Sequence, residues 1–534
     1  MVRTELFHGE NTGSIPVGNT IILYNSCMDA LILKSFIPET FFSVAILFQL
    51  LYNVRVINNF KNNFPIIGKE VFAQTLFIFM SVFWLYKNVA ISGYISTFSL
   101  VNDSGSIVVK MATIGLTALT LIVVKESFKL QKLNFFEFYS LLSLSVLSLL
   151  VMISSSDLIM FYLTMEMQAL CFYVLASFNR DSVFSSESGL KYFVSGSFIS
   201  GFFLLGVSFI YGSIGTINLN AINLLTSFNF DTYSEELRII FLIGIILVTC
   251  TLLFKLACAP FHFWSPDVYD GAPLSSTLVF SVVPKFALFY FFIKWINCLN
   301  VFFEDISTLL LAAGILSTFF GTFFGLTQKR IKRLVIYSSI AQTGFLVSSL
   351  SLGNLEGVTS LYFFLIIYLL TSILMWGQII VFYRFYSKVS EFYSVQISSI
   401  FISSLSNLAK NNMLWCFSFV VVFFSIAGIP PLTGFLSKML VLFELVNFNN
   451  IIAATTLLVI SAVSVYYYIR FIKTIFFEPK KTDLSKDGFK FILSSSELSG
   501  VYPLFAVLLF ILLILFYFPT FTLMLSQYMA ISSF

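Results

Sequence analysis

Charge is what this sequence lacks most: Asp, Glu, Lys and Arg together make up 10% of its 534 residues, against 58% hydrophobic and 18% aromatic. A soluble chain needs roughly a quarter of its residues charged to cover its surface, so a soluble protein is excluded. The net charge of +4 and the lack of polar low-complexity tracts exclude a nucleic-acid binder and a disordered chain as well. The 6 cysteines (Cys27, Cys171, Cys250, Cys258, Cys298, Cys416) stand apart with no C-x-x-C pair, and the 2 histidines are His8 and His262. A disulfide scaffold, an iron–sulfur cluster or a structural zinc site needs these residue types gathered together. Neither the G-x-x-x-x-G-K-[ST] phosphate loop nor the G-x-G-x-x-G dinucleotide turn occurs. Chemistry driven by nucleotides or electron carriers is therefore expected in other chains. The first 20 residues are polar and lack the apolar run of a signal peptide, so insertion is expected to begin with the first spanning helix.

What the chain does have is long apolar runs. About fourteen reach the 18 or more residues that cross a hydrocarbon core of about 30 Å. They lie at 39–57, 71–93, 106–124, 135–153, 157–178, 190–213, 238–261, 274–298, 306–327, 333–352, 358–384, 413–443, 451–474 and 501–529. The expected fold class is all-α, a polytopic membrane protein with no soluble module. The 67 phenylalanines serve as lipid-facing bulk no better than leucine would. Such a bias points to an AT-rich genome of the organelle kind.

Basic residues accumulate in loops on the side from which a membrane protein is inserted. Numbering loops by the span before them, Lys61 and Lys69 fall in loop 1, Lys125, Lys129 and Lys132 in loop 3, and Arg180 in loop 5. Loop 9 holds Lys329, Arg330 and Lys332, loop 11 Lys388 and Lys410, and loop 13 Lys480, Lys481, Lys486 and Lys490. Even-numbered loops hold none. This alternation supports the parse and places both termini on the outer side, the intermembrane space or periplasm.

Two spans look broken. The seventh reads FKLACAPFHFWSPD, with Pro260 and Pro266 at its end, and the twelfth reads FSIAGIPPLTGFLSK, with Pro430 and Pro431 between Gly428 and Gly434. Proline within a helix frees a carbonyl, which lipid tolerates only where protein or a water-filled cavity bonds it. Breaks five spans apart suggest two inverted five-helix repeats, spans 4–8 and 9–13, the architecture of an ion or proton carrier. The expected organisation is a polar extension (1–38), three spans (39–134), a first repeat (135–298) and a second (306–474). A basic inner loop (475–500) and a last span (501–529) follow.

A charge at bilayer depth is costly and marks function by default. Four sit near mid-span: Glu166, Lys255, Lys285 and Lys438, while Lys191 lies near the start of the sixth span. Structural ion pairing is one reading of the mid-span set and a proton relay the other. A buried lysine exchanges protons near neutral pH only when its surroundings disfavour the ammonium, and a neighbouring carboxylate restores it. A Glu–Lys pair that opens and closes is thus a switch. Lys191 also reads as an ordinary positive-inside lysine, Glu444 as a boundary carboxylate, and Glu126 and Glu137 as solvated or paired. His262, after the Pro260 break, reads as a possible relay or as a histidine bonded to freed carbonyls.

The segment FKLACAPFHFWSPDVYDGAP (254–273) closely resembles the signature of the antiporter-like subunits of respiratory complex I, and DVYDGAP resembles their N-type branch. GLKYFVSGSFISGFFLLGVSFIYGSIGTINL (189–219), QKRIKRLVIYSSIAQTGFL (328–346) and AGIPPLTGFLSKM (427–439) agree, so the resemblance spans roughly 135–475. It implies a proton-translocating membrane-arm subunit, coupled to electron transfer from NADH to ubiquinone, that performs no redox chemistry itself. The family's relay residues fall on Glu166, Lys191, Lys255, Lys285 and Lys438. The implied path runs from Lys255, held charged by Glu166, through Lys285 to Lys438 and out, with water at the breaks near Pro260 and Pro430. NADH, FMN, iron–sulfur clusters and ubiquinone would bind partner subunits, and this chain no cofactor. The partners would be other membrane-arm subunits, sister antiporter-like ones included, and lipids, with no nucleic acid. The location would be the mitochondrial inner membrane or a bacterial plasma membrane. Alternatives are a subunit of a related cation/proton antiporter, one of an energy-conserving hydrogenase, and a structural spacer.

Overall fold

The computed structural model describes residues 36–59, 64–89, 95–96, 99–131, 136–229, 234–393, 401–406, 409, 413–478 and 501–533. The expected extension 1–38 and basic loop 475–500 lie almost wholly outside these residues, as do Lys61, Lys132, Lys410 and the lysines of loop 13. Helices come first as α1 (Ile37–Asn59), α2 (Phe64–Val89) and α3 (Ser104–Gln131), the last two separated by a hairpin of two-residue strands, β1 (Ile95–Ser96) and β2 (Val101–Asn102). Then follow α4 (Phe136–Ser154), α5 (Leu158–Ala176), α6 (Val183–Ile214), the short α7 (Leu219–Asn229), α8 (Glu235–Lys255), α9 (Trp264–Gly271) and α10 (Leu274–Asn297). The second half comprises α11 (Phe303–Thr327), α12 (Ile331–Leu350), α13 (Leu355–Tyr393), α14 (Met413–Ala427), α15 (Thr433–Asn447) and α16 (Ile451–Phe476). Two helices, α17 (Val501–Tyr517) and α18 (Thr520–Ser533), close the chain.

Each of the fourteen apolar runs falls on a helix or a helix pair. By length and composition, 10 helices among the described residues can cross a membrane alone, or up to 11 if one bent pair counts as one span. That pair occupies the run expected to be a single last helix, 501–529, which is instead two helices: α17 and α18 meet at 86°. Pro519, between them, has no N–H and disfavours helical geometry at Phe518. The run stays apolar through the bend, so hydropathy does not register it.

The expected breaks at the seventh and twelfth spans are present. The first comprises α8, eight non-helical residues (256–263) and the 8-residue α9, which takes Pro266 into its first turn. The second comprises α14 and α15, each 15 residues long, about 22 Å at 1.5 Å per residue, separated by the Gly428–Leu432 turn. Around each break the packing is alike: α4 packs on α5 and on α10, and α11 packs on α12 and on α16, so the outer members of each five-helix set meet.

At the centre lies α10, against α3, α4 and α13. Its apolar window is buried on every side. Three of its hydroxyls bond back to carbonyls one turn earlier, Ser276 Oγ donating to Pro273 O (2.9 Å), Thr277 Oγ1 to Leu274 O (2.9 Å) and Ser281 Oγ to Leu278 O (2.9 Å), which lets these residues sit in a buried helix.

Candidate functional site

A helix ends with four carbonyls that lack intrahelical partners, and at membrane depth these need bonds. At the end of α8, Ala257 N–H donates to Phe254 O (2.9 Å), as does Trp264 Nε1 from across the break (3.0 Å). At the end of α14, Gln342 Nε2 of α12 donates to Ile426 O (3.1 Å) and Lys438 Nζ to Ala427 O (2.8 Å). Each break thus brings a lysine to the negative end of a half-helix, Lys255 in the last turn of α8 and Lys438 against the end of α14. Gly428 makes the second arrangement possible. Its φ of +83° is one that side chains avoid, and a Cβ there would stand 2.9 Å from Lys438 Cδ.

Lys285, buried in mid-α10, donates to the hydroxyl of Tyr368 on α13, with the Tyr368 ring centroid 4.5 Å from its Nζ. Lys438 is equally buried, 5.5 Å from the Phe345 ring centroid. Glu166, on α5, is an electrostatic neighbour of Lys255, and its Oε1 is buried with no hydrogen-bond partner. Lys255 and Lys285 line one small cavity of about 20 Å³, together with Gln168, Tyr192, Tyr269 and Pro284. That volume admits about one water.

Two candidates stand apart. His262 is buried in the first break, 5.5 Å from the Phe320 ring centroid, and its Nδ1 has no hydrogen-bond partner. Lys191 lies outside the row of Lys255, Lys285 and Lys438, half exposed, in an ion cluster with Glu187 (2.7 Å) and Asp267 (3.4 Å). Asp267 also pairs with Arg333 (3.1 Å), and Asp270 with Arg330 (2.8 Å) and Arg333 (2.9 Å). Lys332 Nζ donates to Ala272 O (3.0 Å). The cluster surrounds a cavity of about 140 Å³ and ties α6 and α9 to the α11–α12 turn.

Sequence reading passed over one buried lysine, Lys110, and one half-buried lysine, Lys294. Lys110 of α3 forms an ion pair with Glu39 of α1 (2.5 Å), and Lys294 of α10 donates to Ile153 O (2.9 Å). Both lie near the ends of apolar runs, where a lysine reads as reaching for water. Among the described residues, no group of three His, Cys, Asp or Glu stands ready to hold a metal ion.

Fold and site together define a multi-pass helical membrane protein with two interrupted helices and a row of lysines, of which Lys285 and Lys438 are buried and Lys255 half-buried. The family model described as NADH:quinone oxidoreductase/Mrp antiporter, TM, matches residues 155–465. NADH-ubiquinone oxidoreductase chain 2 of Marchantia polymorpha is 34% identical over 83% of this chain and 89% of its own length. NADH-quinone oxidoreductase subunit N of Pelagibacter ubique is 34% identical over 85% and 92%. A chain of respiratory complex I from Thermus thermophilus, solved with bound aureothin, shares the fold with a TM-score of 0.70 at 24% identity, covering 91% of this chain and 98% of that one. The chain belongs to the NADH:quinone oxidoreductase/Mrp antiporter membrane family, in the branch of subunit N, or chain 2.

Proposed function

We propose that this chain is a proton-translocating membrane-arm subunit of complex I, coupling electron transfer from NADH to ubiquinone, carried out in partner subunits, to proton movement through its own row of lysines. The cavity shared by Lys255 and Lys285 carries this reading, because both amines line it and it has room for about one water. Glu166 stabilises the ammonium of Lys255. When the carboxylate moves away, the proton passes through water to the amine of Lys285 and on to Lys438, which sits at the second break. The bonds that Gln342 and Lys438 make to freed carbonyls are of the kind that water replaces when a lysine moves. Lys191 belongs at the entrance, in the cluster of Asp267 and Arg333, and His262 at the first break's surface with α11.

NADH, FMN, iron–sulfur clusters and ubiquinone bind elsewhere in the assembly, among sister antiporter-like subunits and lipids. The assembly belongs in the mitochondrial inner membrane or a bacterial plasma membrane, a reading that relatives from a plant and a bacterium support, and the phenylalanine bias favours the mitochondrion. Both termini face the outer side. In support for the C-terminal end, Ser533 O accepts from Asn297 at the end of α10 remote from the basic cluster.

The test is the ratio of protons pumped to NADH oxidised in vesicles containing the assembled complex. Lys285→Met keeps a similar apolar stem and leaves no orphan charge, so the complex should assemble and pump fewer protons per NADH. A normal ratio would remove Lys285 from the path.

A further inference from the structure

A second set of buried and half-buried titratable groups lies between Lys285 and the face opposite the basic cluster. The start of α10 lies beside Lys332, which bonds Ala272 O, and the helix runs away from that face. Tyr290 and Lys294 follow Lys285 along it, Lys294 nine residues on, about 14 Å at 1.5 Å per residue. The Tyr290 hydroxyl is buried with no hydrogen-bond partner, and the Lys294 ammonium lies 4.8 Å from the Tyr290 ring centroid.

Next comes Asp103, immediately before α3. It lies within electrostatic range of both Lys294 and Lys110, and its Oδ1 is buried and unpartnered. Burial holds this carboxyl above the usual carboxylate range, against the pull of Lys294 and Lys110. Beyond it, Lys110 is bonded to Glu39 Oε1 and Asn102 Oδ1 (2.5 Å each), while Glu39 Oε2 is buried without a partner.

Most buried polar atoms of a structural cluster have a hydrogen-bond partner. Here a hydroxyl and two carboxylate oxygens are left over, in a line that continues the relay. These are the atoms a chain of transient waters would bond.

We propose that Lys285 is a fork, and that a second limb carries protons from it past Tyr290 to Lys294 and Asp103, with the Lys110–Glu39 pair positioning Asp103 at the start of α3. The inference rests on the relay reading of Lys285 and adds an exit to it. The Lys285 ammonium gives one proton, through water along the Tyr290 hydroxyl, to the neutral amine of Lys294. The Lys294 ammonium gives it to the Asp103 carboxylate, and the resulting acid releases it to water at that face. Both amines are then neutral and Asp103 is an anion again, so the limb is ready for the next proton.

The experiment compares proton-to-NADH ratios in vesicles containing the assembled complex, with assembly read on native gels. Lys294→Met and Asp103→Asn should each lower the ratio part of the way to that of Lys285→Met, and Asp103→Glu, which keeps the carboxylate, should restore it. Lys438→Met should retain residual pumping that the Lys438→Met/Lys294→Met double variant loses. Normal ratios in Lys294→Met and Asp103→Asn overturn the fork and leave the relay standing, as does a Lys438→Met variant that already pumps no better than Lys285→Met. A normal ratio in Lys285→Met overturns both. If Lys294→Met does not assemble, Asp103→Asn decides; if neither assembles, the cluster is a staple and the fork is wrong.

Discussion

Glu166 and Lys255 attract each other across a gap, and their interaction therefore depends on charge more than on shape. Glu166→Gln keeps the size and removes the charge that stabilises the Lys255 ammonium. Proton pumping per NADH should fall several-fold, while Glu166→Asp, which keeps the charge at a slightly longer reach, should lose much less. Equal losses would mean that geometry, not charge, is what Glu166 supplies. The mid-span charges were legible in the sequence because a charge within an apolar run is costly and has to be accounted for, by pairing or by function. The partner of Lys285 was not: Tyr368 lies 83 residues away on α13, and tyrosine is common in membrane helices. Lys110 and Lys294 escaped for the opposite reason, since four residues from a span's end a lysine has a bland explanation that folding overrides.

At the scale of elements, the turn between α14 and α15 depends on Gly434. A Cβ there would collide with the backbone carbonyl of Ser425, and backbone cannot swing aside. Overpacking of this kind costs about 1–3 kcal/mol or more. Gly434→Ala should reduce assembled complex on a native gel, whereas Gly201→Ala, where no atom lies within 4 Å, should not. The ion cluster between α9 and the α11–α12 turn gives a second case. Asp270, only 10% exposed along its side chain, accepts from Arg330 and Arg333, which are 38% and 36% exposed. Asp270→Asn should cost about 1–3 kcal/mol, discounted for the solvent around the arginines. It would be read as a shorter half-life of the complex in detergent. Proline and glycine announced the two breaks in the sequence, because they act on the backbone locally. The 86° bend at Pro519 carries the same local signal but lay unread inside an unbroken apolar run. The cluster that joins the two halves was hidden because it pairs residues 60 and 63 positions apart.

For the whole molecule, the alternation of basic loops predicts that a cysteine placed at Lys329 reacts with an impermeant reagent only from the inner side. Labelling in intact mitoplasts from outside would sink the fourteen-span topology. Loss of the chain should abolish inhibitor-sensitive NADH:quinone activity in the membrane, and the isolated chain should oxidise no NADH. Either contrary result would separate this chain from the assembly proposed for it.

The burial of α10 on every side has a consequence for chemical access. A lipid-soluble reagent diffusing in the bilayer meets the outward faces of α6 and α16, where Phe198 and Val459 lie exposed, and finds no flank of α10 to approach. On the proposed relay, compounds would reach Lys285 only along its water path, so an inhibitor of this site would have to be small and polar, and changes in lipid composition would act on it through the surrounding helices.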